Sequence, residues 1–205
     1  MKLLIILITS LTFISLAIPA TEEISKDCIN KNVPDSERAF SNTFSGTFNG
    51  KRLEYRASLK EKLLYEKDNP SAPMASFFYT EYIVESDKNR PVIFSFNGGP
   101  GSASLWLHMG VLGPKVIKVP SDASDDGSAP YKIIDNKLSP LSDADLVFID
   151  PIGTGYSRAV GCHEPEEFWG VSEDPKIIAE FIRRWINDNK RWNSPRYILG
   201  ESYGG

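Results

Sequence analysis

The sequence is short of histidine and cysteine, with two of each among 205 residues. Cys28 and Cys162 are too few for a disulfide framework. They lie far apart with no CxxC spacing, so the usual structural zinc patterns are excluded and no metal is expected. A single disulfide between them is open, but nothing in the sequence requires it. Charge of one sign is also scarce in any one place. Net charge is −4 and no long run of Lys and Arg occurs, which excludes the clustered basic surface that a nucleic-acid backbone demands. No Walker lysine follows the glycine-rich stretch Asn97-Gly98-Gly99-Pro100-Gly101, and Gly-Gly-Pro-Gly-Ser does not fit GxGxxG, so no nucleotide cofactor is expected. The one near-sequon, Asn69-Pro70-Ser71, is disqualified by its proline. There is no internal repeat and no low-complexity segment.

What is present begins with a distinctive first twenty residues. Met1-Lys2 leads into an apolar run that ends at Pro19-Ala20, before the acidic start Thr21-Glu22-Glu23. A positive end, an apolar stretch and a small residue before a polar segment predict a secretory signal peptide over 1–20, cleaved after Ala20. Thr9, Ser10, Thr12 and Ser15 interrupt the run, which argues against a stable membrane anchor. A secreted or periplasmic location is expected. The remaining residues, 21–205, are long enough for one sizeable core.

Along the chain, Thr21–Ser41 reads as an irregular lead-in. Lys51–Tyr65 and Ser76–Val84 read as strands, joined through a turn at Asn69–Pro73. Asp87–Arg90 is a second polar turn. Pro91–Phe96 and Asp145–Asp150 are continuous apolar runs, the pattern of strands covered on both faces of an open α/β sheet. Ser102-Ala103-Ser104 opens a short helix, and Pro120–Pro130 is a loop. The strongest helix runs from Pro175 to Trp192, with Asp174 as its cap. Ile177, Ile178, Phe181, Ile182, Trp185 and Ile186 form its apolar stripe. A short loop returns the chain to a strand at Arg196–Leu199. Strand, helix and strand with short loops make a parallel crossover unit, whose ligands bind beyond the carboxyl ends of the strands.

Three motifs sit at those ends. Gly200-Glu201-Ser202-Tyr203-Gly204 fits G-x-S-x-G, in which a strand turns sharply into a helix and exposes a serine hydroxyl. Ser202 is thus the candidate nucleophile, and it needs a base to take its proton. Asn97–Gly101 can aim backbone amides at a developing oxyanion, together with the amide of Tyr203. His108 and His163 both precede Ser202 and read as structural or surface histidines. In this fold the base and its orienting acid follow the serine, and only three residues follow it here. The chain is therefore expected to be an N-terminal portion that is inactive alone.

Three blocks, FNGGPGSASLWLHMGVLGP, DLVFIDPIGTGYSRA and YILGESYGG, closely resemble the serine carboxypeptidases, peptidase family S10 of the α/β-hydrolases. The stretch from Trp169 to Gly205 looks most like the bacterial branch, and the resemblance covers about residues 51–205. It implies an α/β-hydrolase fold, here the N-terminal part of a mostly parallel sheet flanked by helices. It implies an exopeptidase that releases C-terminal residues through an acyl-enzyme, acting on peptides or proteins with a free C-terminus. By the same resemblance Ser202 is the nucleophile, the amides of Gly99 and Tyr203 form the oxyanion hole, and Asn97 and Glu201 hold the substrate carboxylate. Val111 and Ser95 stand where the family carries a glutamate and a tryptophan near that carboxylate. A secreted esterase of the same fold and a non-catalytic secreted binding protein are the alternative readings.

Overall fold

The computed structural model describes residues 28, 31–85, 89–119, 122 and 129–205. The signal peptide expected over 1–20, its cleavage point and most of the loop from Pro120 lie outside them. Nine strands and two α-helices occur among the described residues: β1 Ala39–Phe48, β2 Lys51–Tyr65, β3 Pro73–Ile83, β4 Val92–Asn97, α1 Leu105–Leu107, β5 Lys115–Ile117, β6 Ile133–Asp135, β7 Asp145–Ile149, β8 Arg158–Ala159, α2 Glu173–Asp188 and β9 Arg196–Glu201.

The main sheet runs β1-β2-β3-β7-β4-β9, with β8 added to β3. Its N-terminal half is antiparallel, β1 against β2, β2 against β3, and β3 against β7. Its other half is parallel, β7 against β4 and β4 against β9. The α/β architecture is thus as expected, and the parallel character belongs to the half that carries the motifs. Connectivity is part of the reason: short turns join β1 to β2 and β2 to β3, whereas the parallel neighbours β4–β7 and β4–β9 are joined by long connections, with α2 leading into β9. The strand β1 was not anticipated at Ala39–Ser41, which fell within the expected irregular lead-in. Its large apolar residues, Phe40, Phe44 and Phe48, are spread among Ser, Thr, Asn and Gly, and only Phe48 is buried, so the apolar signal is weak. The hairpin is set instead by Asn49-Gly50, both at positive φ (47° and 79°), the backbone of a type I′ turn.

Each face of the sheet buries its own cluster. On one, α2 lays Ile177, Ile178, Phe181 and Trp185 against Phe77, Tyr79, Phe94 and Ile149. Phe94 meets Trp185 edge-on at 5.2 Å, and Phe77 lies 5.1 Å from Phe181. The other face packs Phe48, Tyr55, Tyr82, Leu107, Leu146 and Phe148 together. Helix α2 stops at Asp188, short of the expected Trp192, because Asn189 leaves the helix and Lys190 adopts φ 56°. Its N-cap is Ser172, not Asp174, and Ser172 makes no side-chain cap bond. Asp174 faces elsewhere, as described below.

Two buried charges tie the layers. Glu81, fully buried on β3, takes Lys60 Nζ at 2.6 Å, Arg56 Nη1 at 3.2 Å and the Trp185 indole N–H at 2.9 Å. Asp145, fully buried at the start of β7, accepts Arg191 Nη1 at 2.7 Å, Arg90 Nε at 3.1 Å and the Val84 amide at 3.0 Å. A disulfide joins Cys28 to Cys162. Among the described residues no helix is long and apolar enough to cross a membrane.

Candidate active site

Strands β4 and β9 lie side by side and parallel, so their carboxyl ends coincide and Asn97 pairs in register with Glu201. The side-chain amide of Asn97 donates to Glu201 Oε2 at 3.2 Å. Its carbonyl oxygen accepts the Leu107 amide at 3.1 Å, a donor in the first turn of the helix that follows the glycine loop. Asn97 is buried, whereas Glu201 is exposed.

Immediately after β9 the chain turns at Ser202, which holds φ 57°, and continues as a single 3-10 turn over Ser202–Gly204. A serine in this left-handed region costs about 1–2 kcal/mol. Neighbouring backbone packs closely around this turn. A Cβ on Gly200 would fall 1.7 Å from the Gly204 carbonyl oxygen. A Cβ on Gly98 would fall 2.5 Å from the Tyr203 nitrogen and 2.7 Å from the Glu201 oxygen. The glycine loop and the serine turn thus touch backbone to backbone. The Gly99 and Tyr203 amides, named from sequence as oxyanion donors, belong to these two contacting segments.

The glycine loop is held at both ends. Gly98 O accepts the Ser102 amide at 3.0 Å. Ser104 donates its amide to Asp150 Oδ1 at 2.8 Å and its hydroxyl to the Ile149 carbonyl, both at the end of β7. Burial pushes the Asp150 carboxyl above its ordinary range, and the Ser104 amide only partly offsets this.

A cavity of about 450 Å³ opens beside the turn, lined by Asn97, Gly98, Pro100, Trp169, Asp174 and Tyr203 among others. Tyr203 donates its hydroxyl to Asp174 Oδ2 at 3.0 Å, which also accepts the Gly170 amide at 3.1 Å. Donation to Asp174 raises the Tyr203 phenol above its usual value. A larger cavity, of about 720 Å³, is lined by Tyr65, Met74, His163, Phe168 and residues of α2. Asn97, Gly98 and Tyr203 border the smaller cavity and not this one, so the smaller cavity is the one that adjoins the turn; Ser202 itself lines neither.

Both histidines are engaged away from Ser202. His108 Nε2 pairs with the Tyr82 hydroxyl at 2.6 Å, and its ring stacks on Phe148 with centroids 4.6 Å apart. Burial lowers its pKa to about 4, so it is neutral near pH 7. His163 bridges Glu167 and Glu66 at 2.8 and 2.9 Å. Val111 is exposed and offers only its carbonyl to Asn136; it is not a wall of the cavity at Tyr203. Ser95 is buried between β7 and β9, and its hydroxyl has no hydrogen-bond partner among the described residues. Sequence reasoning missed Asp174 and the side chain of Tyr203 as walls of the site. Asp174 was read as a helix cap, because the local pattern does not show the partner 29 residues on.

Comparison with known proteins places this geometry in a family. The family model for serine carboxypeptidases matches residues 60–205. Serine carboxypeptidase-like 9 of Arabidopsis thaliana is 32% identical over 63% of this chain and 29% of its own length. Serine carboxypeptidase-like 2 and serine carboxypeptidase-like 5 of the same plant are each 30% identical over 60% of this chain and 28% of their own lengths. The chain therefore spans under a third of the length of the curated relatives it matches. It belongs to the serine carboxypeptidase family.

Proposed function

We propose that this member of the serine carboxypeptidase family hydrolyses the C-terminal peptide bond of peptides through an acyl-enzyme at Ser202. The observation that carries the reading is the wedge at the ends of β4 and β9. There Ser202 sits in a left-handed turn against Gly98, beside the Asn97–Glu201 bridge.

On this reading the Ser202 hydroxyl oxygen attacks the scissile carbonyl carbon and passes its proton to a base. Negative charge gathers on the former carbonyl oxygen, which the amides of Gly99 and Tyr203 receive. One such donor contributes about 2.7–4 kcal/mol to the barrier. Collapse of the intermediate breaks the C–N bond, and the base returns the proton to the leaving amine. Water then repeats the attack on the ester and frees Ser202. His108 and His163 are committed to Tyr82 and to Glu66 and Glu167. The base and its orienting acid are accordingly assigned to residues outside 1–205.

Asn97 and Glu201 would take the substrate's terminal carboxylate. The Asn97 amide is a neutral donor. Glu201 can join only by donating a shared proton, because two bare carboxylates repel. No cofactor or metal is invoked. The signal-like start and the Cys28–Cys162 disulfide support action in an oxidising, secreted or periplasmic setting.

The test is hydrolysis, by the complete protein, of a blocked dipeptide against its C-terminally amidated twin. Cleavage of the free acid and not the amide is expected. Equal cleavage of both, or of a simple ester alone, would favour an acyl hydrolase of the same fold.

A further inference from the structure

We propose that the cavity walled by Tyr203, the residue after Ser202, receives a substrate side chain and that Asp174 makes it select a cationic one, lysine or arginine. This rests on the serine carboxypeptidase reading above and names the substrate class for that site.

The cavity, about 450 Å³, is of a size that takes a side chain. Its walls are largely apolar: Pro100, Pro151, Ile152, Trp169 and the ring of Tyr203. Asp174 is the single charged side chain among the described residues that line it. Lysine and arginine suit such a lining, because their stems are apolar and only their tips are charged. An aromatic wall adds attraction for a cation over its face.

Asp174 is oriented without being neutralised. Its two protein bonds, from the Tyr203 hydroxyl and the Gly170 amide, both come from uncharged donors and both fall on Oδ2. Among the described residues Oδ1 takes no protein donor, and no lysine or arginine pairs with Asp174. Lys176, the nearest cation along the helix, pairs instead with Glu173 at 3.8 Å. Glu173, whose Oε2 would lie 2.7 Å from a Cβ on Gly170 of the same lining, balances Lys176 at the rim, so Asp174 carries the net charge of the lining. A cationic side chain therefore meets an oriented carboxylate, an uncharged one meets mostly apolar wall, and an acidic one meets repulsion.

The test uses the complete protein and blocked dipeptides that carry arginine, citrulline, leucine or glutamate in one position, on each side of the scissile bond in turn. Citrulline keeps the shape of arginine and removes its charge. In the wild type, arginine should exceed citrulline in kcat/KM by about fivefold or more on one side of the bond, with glutamate the poorest. In Asp174→Asn, which keeps an acceptor for Tyr203, that ratio should fall to about one. The ratio in the wild type should also shrink as ionic strength rises from about 0.05 to 0.5 M, a measurement that does not depend on the variant folding. If the wild type cleaves the leucine peptide but shows the same arginine-to-citrulline ratio as the variant, or a ratio indifferent to salt, the selection by Asp174 is wrong and the peptidase reading stands. If the wild type cleaves none of the peptides, the peptidase reading itself fails.

Discussion

Asn97 makes two bonds in opposite senses, donating to Glu201 Oε2 at 3.2 Å and accepting the Leu107 amide at 3.1 Å. One side chain thus joins the end of β4 to the end of β9 and to the helical turn beyond the glycine loop. Replacing it should affect both recognition and the loop. In Asn97→Ala the buried Leu107 amide loses its acceptor, at a cost of about 1–3 kcal/mol. KM for a free-acid peptide should rise by about tenfold or more, while an ester without a terminal carboxylate is affected less. Steady-state kinetics with the two substrates check this; an equal loss for both would remove Asn97 from carboxylate binding.

Gly200 cannot carry a side chain. A Cβ there would meet the Gly204 carbonyl oxygen at 1.7 Å, and that contact is backbone, which cannot swing aside. Gly200→Ala should therefore displace the turn that holds Ser202 and remove nearly all turnover. It should also lower stability by about 1–3 kcal/mol, as other overpacked sites do. Urea unfolding together with a kcat measurement tests both parts. Retained turnover would mean that the turn relaxes without moving Ser202.

The buried pair Asp145–Arg191 holds the start of β7 to the loop after α2. Asp145→Ala leaves Arg191, which is 5% exposed, without its counter-charge, and removes the acceptor of the Val84 amide and of Arg90 Nε. Removing one partner of such a pair costs about 3–5 kcal/mol. The urea midpoint should drop accordingly, and Arg191→Met in the same background should recover part of the loss. No recovery would place the cost in the Val84 and Arg90 contacts.

His163 supplies a pH dependence of known sign. Burial lowers its pKa, but its bonds to Glu167 and Glu66 outweigh this, and the net shift is upward. A group raised in the folded state stabilises fully below its unfolded pKa, about 6.5, and loses that contribution as pH rises through the folded value. The clamp between the end of β2 and the Pro165–Phe168 turn should thus be firm in mild acid and weaken above neutrality. Urea midpoints at about pH 5.5 and about pH 8.5 should differ more for the wild type than for His163→Gln. Equal differences would show that His163 does not set the slope. His108 acts in the opposite sense: with its pKa lowered to about 4, its neutral form stabilises above about pH 6.5, and that support is lost as pH falls toward 4.

The elements legible in the sequence were those whose signal is local. Continuous apolar runs gave β4 and β7, and the helical stripe from Ile177 to Ile186 gave the face that α2 buries. The G-x-S-x-G spacing located the turn at Ser202, because both glycines answer to backbone contacts within four residues or with the adjacent strand. Features set by distant partners were not legible. Cys28 and Cys162 pair across 134 residues, and only the fold brings them together. Asp174 carries a helix-capping signal, yet Tyr203 and Gly170 claim its oxygen. The end of α2 was overestimated because Trp192 extends the apolar pattern, although it is half exposed and the chain has already turned at Lys190. β1 is hard to read locally because, Phe48 apart, its residues are not buried and are fixed by pairing to β2 and by the Asn49-Gly50 turn.

Covalent trapping distinguishes Ser202, the proposed nucleophile, from every other serine of the protein. The complete protein should be treated with a fluorophosphonate, which reacts with an activated serine, and the labelled peptide identified by mass spectrometry. One label per chain is expected, on Ser202, with loss of peptide hydrolysis in step with labelling. Ser202→Ala should take no label and lose nearly all turnover, because residues that act as a unit in covalent catalysis fail together. A label on another residue, or undiminished hydrolysis by Ser202→Ala, would contradict the role of Ser202 as nucleophile.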